Sequence, residues 1–150
     1  MRTSLQHHDR LNLVGALCVS HAGDRIKLLT LSYRQNVSGD EVIAFLRHLL
    51  HYVPGPILLL WDNHPIHRRK KVQTFLAQHQ HIHVAWFPAY APELNPVEFV
   101  WTQLNERLAG TAPRSPDELR TYVLAAIART RNSPKRLWAC IFASDLPWPH

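Results

Sequence analysis

Two acidic residues stand in contexts that suit chemistry on phosphate. Asp62 directly follows the apolar run Ile57-Leu58-Leu59-Leu60-Trp61, and Glu98 closes the string Tyr90-Ala91-Pro92-Glu93-Leu94-Asn95-Pro96-Val97-Glu98. The first is expected at the end of a buried strand and the second on the first turn of a helix. Carboxylate oxygens are the donors that hard cations such as Mg²⁺ prefer, so such a pair can hold divalent metal against a phosphodiester. A site of this kind needs a third carboxylate on an earlier strand. Asp9 is the nearest candidate, but it falls in the lead-in to Leu11 and not inside an apolar strand.

Local structural explanations compete for the same residues. Asp62-Asn63 suits the opening of a turn and the cap of a following helix. Asn95 is a good N-cap, Pro96 a good first helical residue, and Glu98, three after the cap, completes a capping-box pattern. Arg68-Arg69-Lys70-Lys71 can contact phosphate without reading bases, or can simply be a solvated helix start. His81 and His83 would share one strand face, with His79 nearby, yet no further zinc ligand accompanies them.

These residues need elements to position them. Leu11 to Val19 and Ile26 to Tyr33 read as a hairpin turned through His21-Ala22-Gly23-Asp24. A helix starts at Ser38-Gly39-Asp40-Glu41, carries Val42, Phe45, Leu46, Leu49 and Leu50 on one face, and stops before Pro54-Gly55-Pro56. Ile57 to Trp61 has the continuous apolar character of a central strand covered on both faces. Then come a short helix over Val72 to Gln78, a strand over His81 to Phe87 and a proline-punctuated loop from Pro88 to Pro96. The next helix presents Val97, Val100, Trp101, Leu104 and Leu108 and ends at Gly110. Another begins at Ser115-Pro116-Asp117-Glu118, and a last covers about Pro134 to Phe142. Trp86, Trp101 and Trp138 are expected in the core. The class is α/β, a mixed sheet flanked by helices.

The chain has 150 residues, enough for one domain with a real core, and 46% of them are hydrophobic. Its formal net charge of +6 suits a polyanionic partner, although mild basicity is common. Cys18 and Cys140 have neither disulfide-scaffold density nor zinc-site spacing, and read as small buried hydrophobes in a reducing compartment. With no apolar signal core and no run long enough to span a bilayer, a cytoplasmic location is expected.

Asp62-Asn63 followed by His67, then Pro88-Ala89-Tyr90-Ala91-Pro92-Glu93-Leu94-Asn95-Pro96-Val97-Glu98-Phe99-Val100-Trp101, closely resembles the catalytic domain of bacterial insertion-sequence transposases in the mariner-like DDE superfamily. The resemblance covers about residues 9–124, leaving 125–150 as less diagnostic C-terminal helices and tail. It implies a ribonuclease H-like fold, and DNA cleavage and strand transfer with two Mg²⁺ or Mn²⁺ ions. Asp62 and Glu98 would be the second and third members of an Asp-Asp-Glu triad, with Asn63, His67 and Asn95 as neighbouring motif positions. His67 would orient a neighbour or contact phosphate.

In that family the first Asp lies on a central strand preceding the hairpin, and this chain is expected to lack both. Two sheet edges would then lie unpaired, and two protein carboxylates would balance two divalent ions poorly. The expected function is that of a transposase catalytic-domain fragment, inactive alone and completed by an upstream-encoded segment. DNA is the expected partner, and a homodimer is implied by the resemblance. A non-catalytic regulator that binds DNA or transposase and a decayed remnant are the alternatives. A junction resolvase fits the Pro-Glu-Leu-Asn-Pro-Val-Glu string less well.

Overall fold

The computed structural model describes residues 2–5 and 11–148. In chain order the elements are β1 (Arg2–Leu5), β2 (Leu11–Val19), β3 (Ile26–Tyr33), α1 (Gly39–Tyr52), β4 (Ile57–Trp61), α2 (Lys70–Ala77), β5 (Ile82–Trp86), α3 (Pro96–Leu108), α4 (Pro116–Arg131) and α5 (Pro134–Ala143). Short 3₁₀ turns at Pro65–Arg68 and Pro92–Leu94 precede α2 and α3. The mixed α/β class is therefore as expected. Asp9 lies outside the described residues. Among the described residues no helix is long and apolar enough to cross a membrane.

The chain divides into two compact units, one of residues 35–91 and one built from both ends, residues 1–34 with 92–150. In the second of these, β2 lies between β1 and β3 in an antiparallel sheet. The hairpin β2–β3 runs in register from Asn12↔Tyr33 to Val19↔Ile26. Its turn closes on Ser20, whose Oγ accepts from the Arg25 backbone N–H at 3.0 Å, while Gly23 takes the φ of 74° that an L side chain resists. β1 was not anticipated. It pairs with the first four positions of β2, from Arg2↔Val14 to Leu5↔Leu11, so that edge of β2 is partly covered where an open one was expected. A backbone ladder needs only N–H and C=O groups, and a four-residue run carries too little periodicity to reveal it.

Against this sheet, α3 packs on β2 and α5 on β3. Gly15 makes the first contact possible, because a Cβ there would lie 2.6 Å from the Trp101 ring. Trp101, Val100, Leu104, Val123, Ile127, Leu137 and Cys140 are all at most 2% exposed and form the helical core. Burial pushes the Cys140 thiol up to about 11, and also raises half-buried Cys18 to about 11 despite the opposing charge of Lys27.

The unit of residues 35–91 is built around a parallel pair, β4 with β5, in register from Ile57↔Ile82 to Trp61↔Trp86. Helix α1 starts at a complete capping box, in which the Ser38 side chain accepts from the helix backbone and Glu41 accepts from the Ser38 N–H at 2.8 Å. Hydrogen bonding to Ser38 holds the Glu41 carboxyl below its usual range. Val42, Phe45, Leu46 and Leu49 of α1, Val72 and Phe75 of α2, and Ile57, Leu59 and Trp61 of β4 are buried. The expectation that β4 is covered on both faces is not met. Leu58 is 65% exposed and Leu60 36%, because the strand alternates and only one set of side chains is covered. Trp86, expected in the core, is 41% exposed at the end of β5, and Trp138 is only half-buried.

Candidate active site

Asp62 is the first residue past β4, and the five residues that follow fold back onto it. Its Oδ1 accepts the His64 backbone N–H at 3.2 Å, which closes an Asx-type turn. The His64 ring nitrogen then caps the 3₁₀ turn by accepting from Ile66 N at 3.1 Å. That turn brings His67 back, and its Nδ1 lies 2.8 Å from the Asp62 carbonyl oxygen and 3.1 Å from Asp62 Oδ1. The His67 ring lies flat on Trp61, with centroids 4.1 Å apart and planes 4° from parallel.

Of the two local roles that suit Asp62-Asn63, the opening of a turn and the cap of a helix, the geometry supports one. The turn is real. The cap is not, because the 3₁₀ turn is capped by His64, and α2 begins after Arg69 with no side-chain cap. The described hydrogen bonds to the Asp62 side chain all use Oδ1. The bond from His67 is the largest influence on its acidity, outweighing partial burial, and with the His64 N–H it lowers the carboxyl to about 2. Asp62 is thus an anion at neutral pH, with its side chain 46% exposed.

Glu98 is held by different means. Asn95 caps α3 by accepting from Val97 N at 3.4 Å, and Pro96 supplies the preset φ of a first helical residue. The Asn95 backbone N–H, which a capping box would assign to Glu98, donates to the Pro92 carbonyl at 3.0 Å. The 3₁₀ turn therefore satisfies that donor, and capping no longer demands a carboxylate at position 98. The same turn is tied to the C-terminal segment by Asp145 N donating to the Glu93 carbonyl at 2.7 Å. Glu98 is half-buried. It belongs to the unit built from both chain ends and Asp62 to the other.

Of the basic cluster, Arg68, Arg69 and Lys70 are exposed, while Lys71 is paired with Asp40 at 2.8 Å across from α1. Asn63 is exposed and Asn95 buried. His83 on β5 and His81 just before it are both exposed, and among the described residues no group of three or more His, Cys, Asp or Glu is placed to hold a metal ion. Two features escaped sequence reasoning. One is Trp61 as the platform under His67, hidden inside an apolar run. The other is Tyr90, fully exposed with φ of 57°, an unfavourable conformation for a bulky residue; its place between Pro88 and Pro92 is the one signal.

An acidic residue thus follows the carboxyl end of a parallel strand, a second stands on the first turn of a later helix, and a basic segment follows the first. The chain belongs to the DDE superfamily endonuclease family, whose sequence profile matches residues 2–120. Over 56 residues it is 36% identical to the transposable element Tc1 transposase of Caenorhabditis elegans, a stretch that covers 37% of this chain and 20% of that relative. Among solved structures, a chain of the simian T-cell lymphotropic virus intasome in complex with PP2A regulatory subunit B56 gamma is similar with a TM-score of 0.62 at 17% identity. That match covers 100% of this chain and 55% of the other. The Mos1 transposase catalytic domain with raltegravir and Mn is similar with a TM-score of 0.61 at 14% identity, covering 99% of this chain and 82% of the other. These likenesses establish the ribonuclease H-like fold.

Proposed function

We propose that this chain is part of the catalytic domain of a DNA transposase that cleaves and transfers DNA strands with divalent metal. The observation that carries the reading is the Asp62 turn, in a chain whose family is that of DDE endonucleases. A carboxylate kept ionised at the end of a parallel strand, with Oδ2 outside its described hydrogen bonds, suits a hard cation. Asp62 and Glu98 would each offer a carboxylate to Mg²⁺ or Mn²⁺, with Asn63 and Asn95 as the neighbouring motif positions. When bound, a pair of such ions supplies activation of a water or 3′-hydroxyl and stabilisation of the leaving oxygen. Arg68, Arg69 and Lys70 contact DNA phosphates; Lys71, held by Asp40, contributes less.

The third carboxylate comes from a further transposase segment whose strand adds beside β4. Support for this lies in β4 itself, which pairs only with β5 among the described residues and so has one edge without a described strand partner. The reduced thiols and the nucleic-acid substrate fit a cytoplasmic location.

The test is Mn²⁺- or Mg²⁺-dependent nicking of element-end DNA by the purified chain and by its fusion to the upstream-encoded segment. Activity is expected in the fusion and should vanish with Asp62→Ala or Glu98→Ala. A folded fusion that is inactive would favour a regulator that binds DNA or transposase. Undiminished nicking by Asp62→Ala would refute the assignment of the site.

A further inference from the structure

We propose that His67 is the positioning residue of Asp62, holding the side chain through Oδ1 so that Oδ2 is left for a cation. The proposal rests on Asp62 being a metal ligand, as argued above, and goes beyond it by fixing what the histidine does. A carbonyl oxygen can only accept a hydrogen bond. The 2.8 Å contact between His67 Nδ1 and the Asp62 carbonyl therefore places the proton on Nδ1, which makes it the donor to Oδ1 at 3.1 Å as well. One N–H spans the backbone and the side chain of the same residue, which restricts the Asp62 side-chain torsions.

The ring that carries this N–H is itself immobilised. It is stacked on Trp61, its residue is 7% exposed, and its backbone is held at both ends: His67 N donates to the His64 carbonyl at 2.9 Å, and its own carbonyl accepts from Gln73 Nε2 at 3.1 Å. The alternative role, direct contact with phosphate, fits poorly. Nδ1 is committed to Asp62, and the side chain is only 9% exposed. Hydrogen-bond partners behind a metal ligand typically account for about 10–100-fold in metal affinity.

The geometry separates a positioning role from simple packing. An asparagine amide nitrogen falls where Nδ1 lies, whereas a glutamine amide nitrogen falls where Nε2 lies. Phenylalanine keeps the stack on Trp61 and removes the donor. The experiment is a Mn²⁺ titration of the ¹⁵N-labelled chain that reads paramagnetic broadening of the amides around Asp62, so that weak binding is measurable. A long-range ¹⁵N spectrum of the His67 ring accompanies it.

The wild-type ring should show a protonated Nδ1. His67→Asn should titrate like wild type, while His67→Gln and His67→Phe should need about 10-fold more Mn²⁺ or beyond, with the fold of His67→Phe retained. Wild-type Mn²⁺ response in both His67→Phe and His67→Gln, or a ring protonated at Nε2 alone, would overturn the proposal. If His67→Phe unfolds, the Asn and Gln pair still decides it. Asp62→Asn tests the underlying reading separately. Broadening that survives in Asp62→Asn removes the metal-ligand assignment and the positioning role together, whereas loss in Asp62→Asn with no change in the His67 variants removes the positioning role alone.

Discussion

The Asp62 turn and the start of α3 present acidic side chains by opposite strategies. At Asp62 the backbone has just left a strand, and order comes from side chains: His67 bonds the carboxylate, Trp61 supports His67, and the His64 N–H closes the turn. At Glu98 the helix supplies the order. Asn95 and Pro96 set the first turn, and the Pro92 carbonyl takes the Asn95 N–H. A site built from side chains is tuned by few residues and is correspondingly fragile. A site built on a helix terminus spreads its support over backbone bonds, and single side chains matter less.

The sharpest way to break this contrast is Trp61→Ala. Trp61 is 1% exposed and is at once a core residue of β4 and the surface on which His67 lies. Its loss should cost about 3–5 kcal/mol of stability, measured by urea unfolding. It should also release His67, visible as loss of the Asp62–His67 coupling in side-chain NMR. Trp61→Phe, which keeps an aromatic face, should retain that coupling at a much smaller cost. If Trp61→Ala leaves Asp62 unchanged, the turn is held by its backbone and the contrast collapses.

At the other carboxylate, Asn95→Ala removes the cap of α3. About 1 kcal/mol is expected, from loss of the Val97 N–H bond, read as a shift in the urea midpoint with unchanged slope. The environment of Glu98 should otherwise persist, because Pro96 and the Pro92–Asn95 bond remain. A loss as large as that of Trp61→Ala would show that α3 depends on its cap far beyond the ordinary range.

The same contrast explains what could be read from the sequence. Helix starts were legible because capping is local: Ser38 with Glu41 and Ser115 with the Glu118 N–H act within three residues. The limits of β2 and β3 were legible because Gly23 and Asp24 interrupt two apolar runs. The order of Asp62, Asn63, His67 and the Asn95-Pro96-Val97-Glu98 string was enough to nominate site residues. What the histidine touches was not, since it depends on a 3₁₀ turn that aims His67 back along the chain onto Trp61. Exposure of Leu58, Leu60 and Trp86 was also invisible, because an apolar side chain does not announce whether a neighbouring element covers it. β1 was missed for the converse reason, being specified by ladder bonds to β2 and not by its own pattern.

Acid provides the finest test. The folded chain holds the Asp62 carboxyl at about 2, below the ordinary value of 3.8, chiefly through His67. A carboxyl whose folded value is depressed binds its proton less readily than the unfolded chain does. Its contribution to stability is therefore fully present above about pH 4 and is lost as the pH falls toward 2. Because the side chain is nearly half exposed, solvent screens the interaction, and the effect should be smaller than the loss of the α3 cap. Stability measured from pH 5 to pH 2 should fall less steeply in Asp62→Asn and in His67→Phe than in wild type. Glu98→Gln serves as the control for the helix-borne carboxylate. An unchanged acid slope in Asp62→Asn would mean that His67 and the Asx turn place this carboxylate without stabilising its charge.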